Sequence, residues 1–133
     1  MADSGITDRV RAFVREHIQT VEQVEVLLLL FRTAPREWTA MGVGRELRID
    51  PVSAARRLTD FEARALIRAR PGDEALLYWY DGGVGSADRA ISELAQAYRE
   101  RRTAVINLVI AGPNEDVRVF ADAFRMRRKD TDQ

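Results

Sequence analysis

Arginines between Trp38 and Tyr80 are the side chains in this sequence whose type and spacing suggest chemistry. The stretch reads WTAMGVGRELRIDPVSAARRLTDFEARALIRARPGDEALLYWY. From Thr39 to Arg70, seven arginines (Arg45, Arg48, Arg56, Arg57, Arg64, Arg68, Arg70) face four acids (Glu46, Asp50, Asp60, Glu62), a local charge of +3. The whole chain is neutral, so the rest carries −3. A guanidinium meets phosphate as a charge and guanine O6 and N7 as a two-pronged donor, so arginines gathered on one exposed helix face point to nucleic acid.

The elements that must carry them follow from the neighbouring residues. Thr39 is suited to cap a short helix with Met41, Val43 and Leu47 apolar, broken at Arg48-Ile49-Asp50. Asp50 is a favoured N-cap, and Pro51 suits the first helical position, where its missing N–H has no partner to lose. The helix over about 51–62 then places Ala54, Leu58 and Phe61 on one face. Val52, Arg56, Thr59 and Asp60 lie on the other face, with Ser53 and Arg57 on the flanks. Two helices joined by so short a turn form a helix-turn-helix, whose second helix can enter a major groove. Val52 and Ser53 are then expected at base edges, Arg56 at a base or a phosphate, and Arg57 at the backbone, with Arg48 and Arg68 as further DNA contacts. The competing expectation is a structural helical pair, with Arg56 and Asp60 in a solvated ion pair one turn apart.

Around this head the pattern predicts helices throughout, apart from one hairpin. Ile6, Val10, Phe13, Val14 and Ile18 recur at helical spacing. Thr20 and Gln23 match a capping box, opening a helix to about Arg32 that is apolar nearly all round and so belongs at the buried centre. Ala34-Pro35 ends it. Leu66–Ala69 and Ala75–Tyr80 read as strands joined by a Pro71-Gly72-Asp73 turn. Gly82-Gly83-Val84-Gly85 reads as a hinge, since the Lys-Ser/Thr of a phosphate loop does not follow it. Ser86 is placed to cap one long helix running through Val109 to a stop at Gly112-Pro113. Asn114 would cap a last helix, with Glu115 and Asp116 at its start and Arg125, Arg127, Arg128 and Lys129 at its end complementing the helix dipole. Ile91, Leu94, Tyr98, Val105, Leu108 and Val109, extended by Phe120 and Phe124, form a stripe expected to meet a second copy across a two-fold axis.

Composition bounds the rest. The chain has 133 residues, 46% hydrophobic and 32% charged, enough for a single domain with its own core. No cysteine is present, which excludes disulfides and thiolate metal sites and suits a cytoplasmic location. No apolar run approaches the roughly twenty residues that span a bilayer. His17 is the sole histidine, so no metal site is expected. No nucleophile–base–orienter set is evident, which argues against an enzyme.

In element order the chain resembles the winged-helix regulators of the multiple-antibiotic-resistance (MarR) type. The residues carrying the likeness are LxIDPxSAARRLTDFEARALI, from Leu47 to Ile67, which is similar to the xLxxLxxxGLI ending of many winged-helix families. Two departures stand out. Ala65 occupies the place where glycine is usual, and the wing tip Arg70-Pro71-Gly72-Asp73-Glu74 carries two acids against one arginine. The resemblance implies a mainly α fold with a small β-wing, a winged helix-turn-helix with additional N- and C-terminal dimerisation helices. It places the reading head at about 20–80 and the C-terminal dimerisation helices at about 86–128. It also implies a homodimeric transcriptional regulator that binds double-stranded DNA without a cofactor. Tyr78, Trp79 and Tyr80 would wall a pocket for a small aromatic effector. The alternative is a winged helix turned to protein–protein contact without DNA binding, which zero net charge, Asp60 on the outward face and the acidic wing tip favour.

Overall fold

The computed structural model describes residues 5–82 and 87–111. Its elements run α1 (Asp8–His17), α2 (Val21–Thr33), α3 (Ala40–Leu47), α4 (Pro51–Ala63), β1 (Arg68–Pro71), β2 (Leu76–Trp79), α5 (Ala87–Glu100) and α6 (Arg102–Ala111). The start of α2 is fixed locally, as expected. Thr20 Oγ1 accepts from the Gln23 N–H at 3.1 Å, and Gln23 Oε1 accepts from the Thr20 N–H at 2.9 Å. From Val26 to Leu30 every side chain of α2 is buried, and α3, α4, α5 and α6 each cover part of this central helix.

The helix-turn-helix has its expected boundaries. Thr39 Oγ1 caps α3 through the Gly42 N–H, and the Asp50 carboxylate caps α4 through the Val52 N–H at 2.7 Å. Arg48 makes the turn in the left-handed conformation (φ +60°), with the Ile49 N–H closing on the Gly44 carbonyl at 3.0 Å. Gly44 lies hard against the turn and the start of α4. A Cβ there would meet Ile49 O at 2.9 Å and Pro51 Cα at 3.2 Å, both backbone atoms with little freedom to yield.

Ala65 follows α4 at φ +63°. The Leu66 N–H reaches Phe61 O at 3.0 Å and the Ala65 N–H reaches Glu62 O at 2.9 Å, which is a Schellman ending with Leu66 buried against Phe61. The departure from glycine at this position therefore changes the strain and leaves the geometry intact.

Two expectations, the bounds of the hairpin and the single long helix, are corrected. The hairpin pairs Arg68 with Trp79 and Pro71 with Leu76, so Pro71 lies inside a strand and the turn moves to Gly72–Ala75. Leu66 and Ile67 are buried below the sheet rather than paired in it. The expected long helix is broken at Arg101, which ends α5 and leaves α6 as a separate apolar helix. Finally, Ile91, Leu94, Tyr98, Val105, Leu108 and Val109 are each at most 9% exposed in the single chain, packed with α1 and α2. These six therefore belong to the core and do not form a free stripe. Phe120 and Phe124, the hinge positions 83–85, Ser86, and the last helix from Asn114 lie outside the described residues.

The left-handed conformation costs an L-residue roughly 1–2 kcal/mol, of which glycine's extra freedom in the unfolded chain takes back about 0.4–1. Ala65→Gly is thus expected to raise stability by about 0.5–1 kcal/mol in urea unfolding. Gly44→Ala is expected to lower it by about 1–3 kcal/mol despite alanine's better helix propensity, because the methyl meets backbone. Equal and same-signed shifts in the two variants would contradict this account of the turn.

Candidate nucleic-acid interface

On α4, Ala54, Leu58 and Phe61 are fully buried against the rest of the chain. The opposite face presents Val52, 67% exposed, and Arg56, which makes no ion pair with any described residue. Asp60, the partner expected for Arg56, is taken by Arg64 one turn on, with Nε to Oδ2 at 3.1 Å. Arg45 on α3 and Arg48 in the turn are likewise exposed and enter no ion pair among the described residues.

The flanking residues Ser53 and Arg57 are committed inward. Ser53 Oγ donates to Glu22 Oε1 at the start of α2, and Arg57 Nε donates to the same oxygen at 2.8 Å. The hydroxyl bond from Ser53, followed by that from Arg57, holds the Glu22 carboxyl below its ordinary range. This clasp fixes the roll of α4 about its axis. It also draws Ser53 and Arg57 away from the face that carries Val52 and Arg56.

Arginines of the wing are paired. Arg68 Nε meets Asp81 Oδ2 at 2.7 Å. Arg70 forks onto Glu37, with Nε at 2.9 Å and Nη2 at 2.8 Å from the two carboxylate oxygens, and that hydrogen bond lowers the Glu37 carboxyl. Asp73 and Glu74 remain exposed at the tip. The wing itself is tied to the entry of α3, because Trp38 and Tyr78 exchange both backbone hydrogen bonds at 2.7 and 2.8 Å. Neither Glu22 nor this bridge is visible in local sequence patterns, since each acts across more than thirty residues.

The far end of α4 is held to α1. Arg64 Nη1 donates to Glu16 O at 3.0 Å and lies 3.2 Å from His17 Nδ1, while the His17 ring stacks at a tilt on Phe13 with centroids 4.8 Å apart.

Tyr78 and Tyr80 are buried and Trp79 is half-buried, the alternation expected of the strand. Trp79 and Tyr80 line a cleft of about 440 Å³ between the wing base and α5, together with Leu66, Arg68, Asp81 and Ile91. The Tyr80 ring stands edge-on to Phe31, and burial together with its hydrogen bond to Asp88 pushes the phenol well above its ordinary pKa. Tyr78 lies outside this cleft. It lines a second, more apolar one with Met41, Ala55 and Leu76.

The same architecture is found in solved structures. A double variant of Lactococcus lactis ZitR in its apo form is 16% identical, with 85% of this chain and 83% of that one covered and a TM-score of 0.51. A point variant of S. aureus MepR is 14% identical over 91% of this chain and 86% of that one, at 0.52. A second MepR variant, from a multidrug-resistant clinical isolate, is 13% identical over 92% and 86%, also at 0.52. No protein-family model and no curated protein matches the chain. At such identities the likeness is one of fold, and the fold is a winged helix.

His17 titrates below its ordinary 6.5, mainly because burial disfavours the cation; Arg64 adds to the effect, while Glu16 and Asp60 oppose it. A histidine favoured neutral in the fold contributes stability in full above its unfolded value and loses it as pH falls through the folded one. The melting temperature is therefore expected to drop as pH falls below 6.5, and to drop less in His17→Gln. An identical pH profile in the variant would remove His17 as the cause.

Proposed function

We propose that the chain is a sequence-specific, DNA-binding transcriptional regulator that acts as a homodimer and reads its operator with α4. The observation that carries this reading is the exposed face of the helix-turn-helix, where Val52 and Arg56 on α4 and Arg45 and Arg48 beside it stand without ion pairs among the described residues. Phosphates would be held by Arg45 and Arg48, and base edges would meet Val52 and Arg56. Ser53 and Arg57 would serve through the Glu22 clasp by setting the helix orientation, with direct contact open to them only if the clasp exchanges. Arg68 would contribute little while Asp81 holds it.

A two-fold partner would place two such helices about 34–36 Å apart, one turn of DNA. With the α5 and α6 stripe already covered, the contact between copies would draw on Ile110, 68% exposed, and on residues beyond 111, Phe120 and Phe124 among them. No described helix is long and apolar enough to cross a membrane, and a DNA-bound role implies the cytoplasm. A small aromatic effector is the ligand class suited to the cleft between wing and α5, which Trp79 and Tyr80 help to line. No catalytic step and no cofactor enter this reading.

A second reading, a protein-interaction module, is favoured by the wing. Its arginines are neutralised, its tip is acidic, and exposed Met41 and Leu76 border an apolar cleft. Selection from a random duplex pool separates the two. An inverted repeat with half-sites about ten base pairs apart is expected, with affinity falling steeply in salt. Arg45→Ala should reduce the log–log salt slope by about 0.9 and leave the selected sequence unchanged. Arg56→Ala should weaken the selected duplex about five- to 150-fold while sparing non-specific DNA. No enrichment by folded protein would favour the interaction module.

A further inference from the structure

Taken with the proposed DNA-binding role, on which this assignment rests, the first two turns of α4 restrict what can be read. The Asp50 carboxylate sits on the Val52 N–H at 2.7 Å, which places a negative charge where a phosphate would otherwise meet the helix start. Ser53 and Arg57 are turned onto Glu22. Asp60 is occupied by Arg64, so no carboxylate on α4 neutralises Arg56. Pro51 is exposed at the helix start and Ala55 half-buried; the face between them carries an apolar side chain, Val52, 67% exposed, and a cation four residues later, Arg56.

We infer that Val52 and Arg56 set the operator half-site, Val52 by contact with a thymine methyl and Arg56 by paired hydrogen bonds to a guanine no more than about two base pairs away. A valine cannot hydrogen-bond through its side chain, and the thymine methyl is the apolar group displayed at the edges of the major groove. An exposed arginine matches guanine O6 and N7. Four residues of helix advance about 6 Å, against roughly 3.4 Å per base step, which sets the separation.

The test uses the full chain and the duplex it selects. Each half-site thymine is replaced in turn by deoxyuridine, which removes only the methyl, and each guanine by 7-deazaguanine, which removes the N7 acceptor. At one thymine the natural protein should lose about fourfold in affinity, while Val52→Ala, already without the contact, is indifferent. At a guanine within two base pairs it should lose about fivefold or more, while Arg56→Ala is indifferent. Because Val52 is solvent-exposed, its replacement leaves the core untouched, and a thermal melt of each variant checks the fold. Tight binding to the selected duplex with no response to deoxyuridine, or the same response in Val52→Ala, overturns this assignment and leaves the regulator reading standing. Failure to enrich any duplex overturns both.

Discussion

Val26, Leu27, Leu28, Leu29 and Leu30 follow one another in α2 with no polar interruption, and all are buried. A helix apolar on every side cannot rest on one neighbour; it must be enclosed. That requirement brings α5 and α6 against it as well as the helix-turn-helix, while α1 packs on α5 and α6. The polar groups at the edge of α2 then become the fixing points. Glu22 holds α4 through Ser53 and Arg57, whereas Glu25 takes the Tyr98 hydroxyl and lies 3.0 Å from Arg102. One helix therefore sets the position of both the proposed reading helix and the C-terminal pair.

The clasp also explains why the arginines of the head are not equivalent. A carboxylate that accepts from a hydroxyl and a guanidinium on one helix face constrains rotation, which a single surface ion pair does poorly. Arg57 at 2.8 Å from Glu22 and Arg64 at 3.0 Å from the Glu16 carbonyl pin the inward edge and the far end of α4. Arg68 and Arg70 are similarly spent on Asp81 and Glu37. The excess charge of the head thus resolves into paired arginines and a smaller set without an ion pair among the described residues, Arg45, Arg48 and Arg56.

Much of this was legible where the determinants are local. The Thr20–Gln23 capping box, the Asp50-Pro51 helix start and the apolar spacing of Ala54, Leu58 and Phe61 each lie within a few residues, and each stands as the sequence implies. Long-range pairings were not legible. Glu22 with Arg57 and Glu37 with Arg70 are separated by 35 and 33 residues, and no periodicity marks them. The hairpin turn lies further along the chain than its residue types suggest. Pro71 resembles a turn residue, yet an edge position tolerates proline when its missing N–H is not needed by the ladder. The stripe on α5 and α6 reads as surplus in the sequence because nothing local shows that α1, some eighty residues earlier, covers much of it.

Once the core, caps and clasps are accounted for, a few local inconsistencies remain, and such places tend to be functional. Arg48 and Ala65 hold left-handed backbone without glycine, the one inside the helix-turn-helix and the other where α4 hands over to the wing. Ala65 has a structural reason, since its conformation lets Leu66 close onto Phe61. Val52 has none: it is two-thirds exposed, packs into no core, and occupies a position where a polar residue would serve α4 equally well. This apolar side chain lies beside a cation that makes no ion pair among the described residues, on a helix whose roll is fixed from behind, and that pairing is what the proposed reading of DNA uses. With the wing arginines neutralised and acids exposed at its tip, the first turns of α4 and the adjoining Arg45 and Arg48 carry the head's unpaired positive charge among the described residues, which is why the proposed reading is placed there.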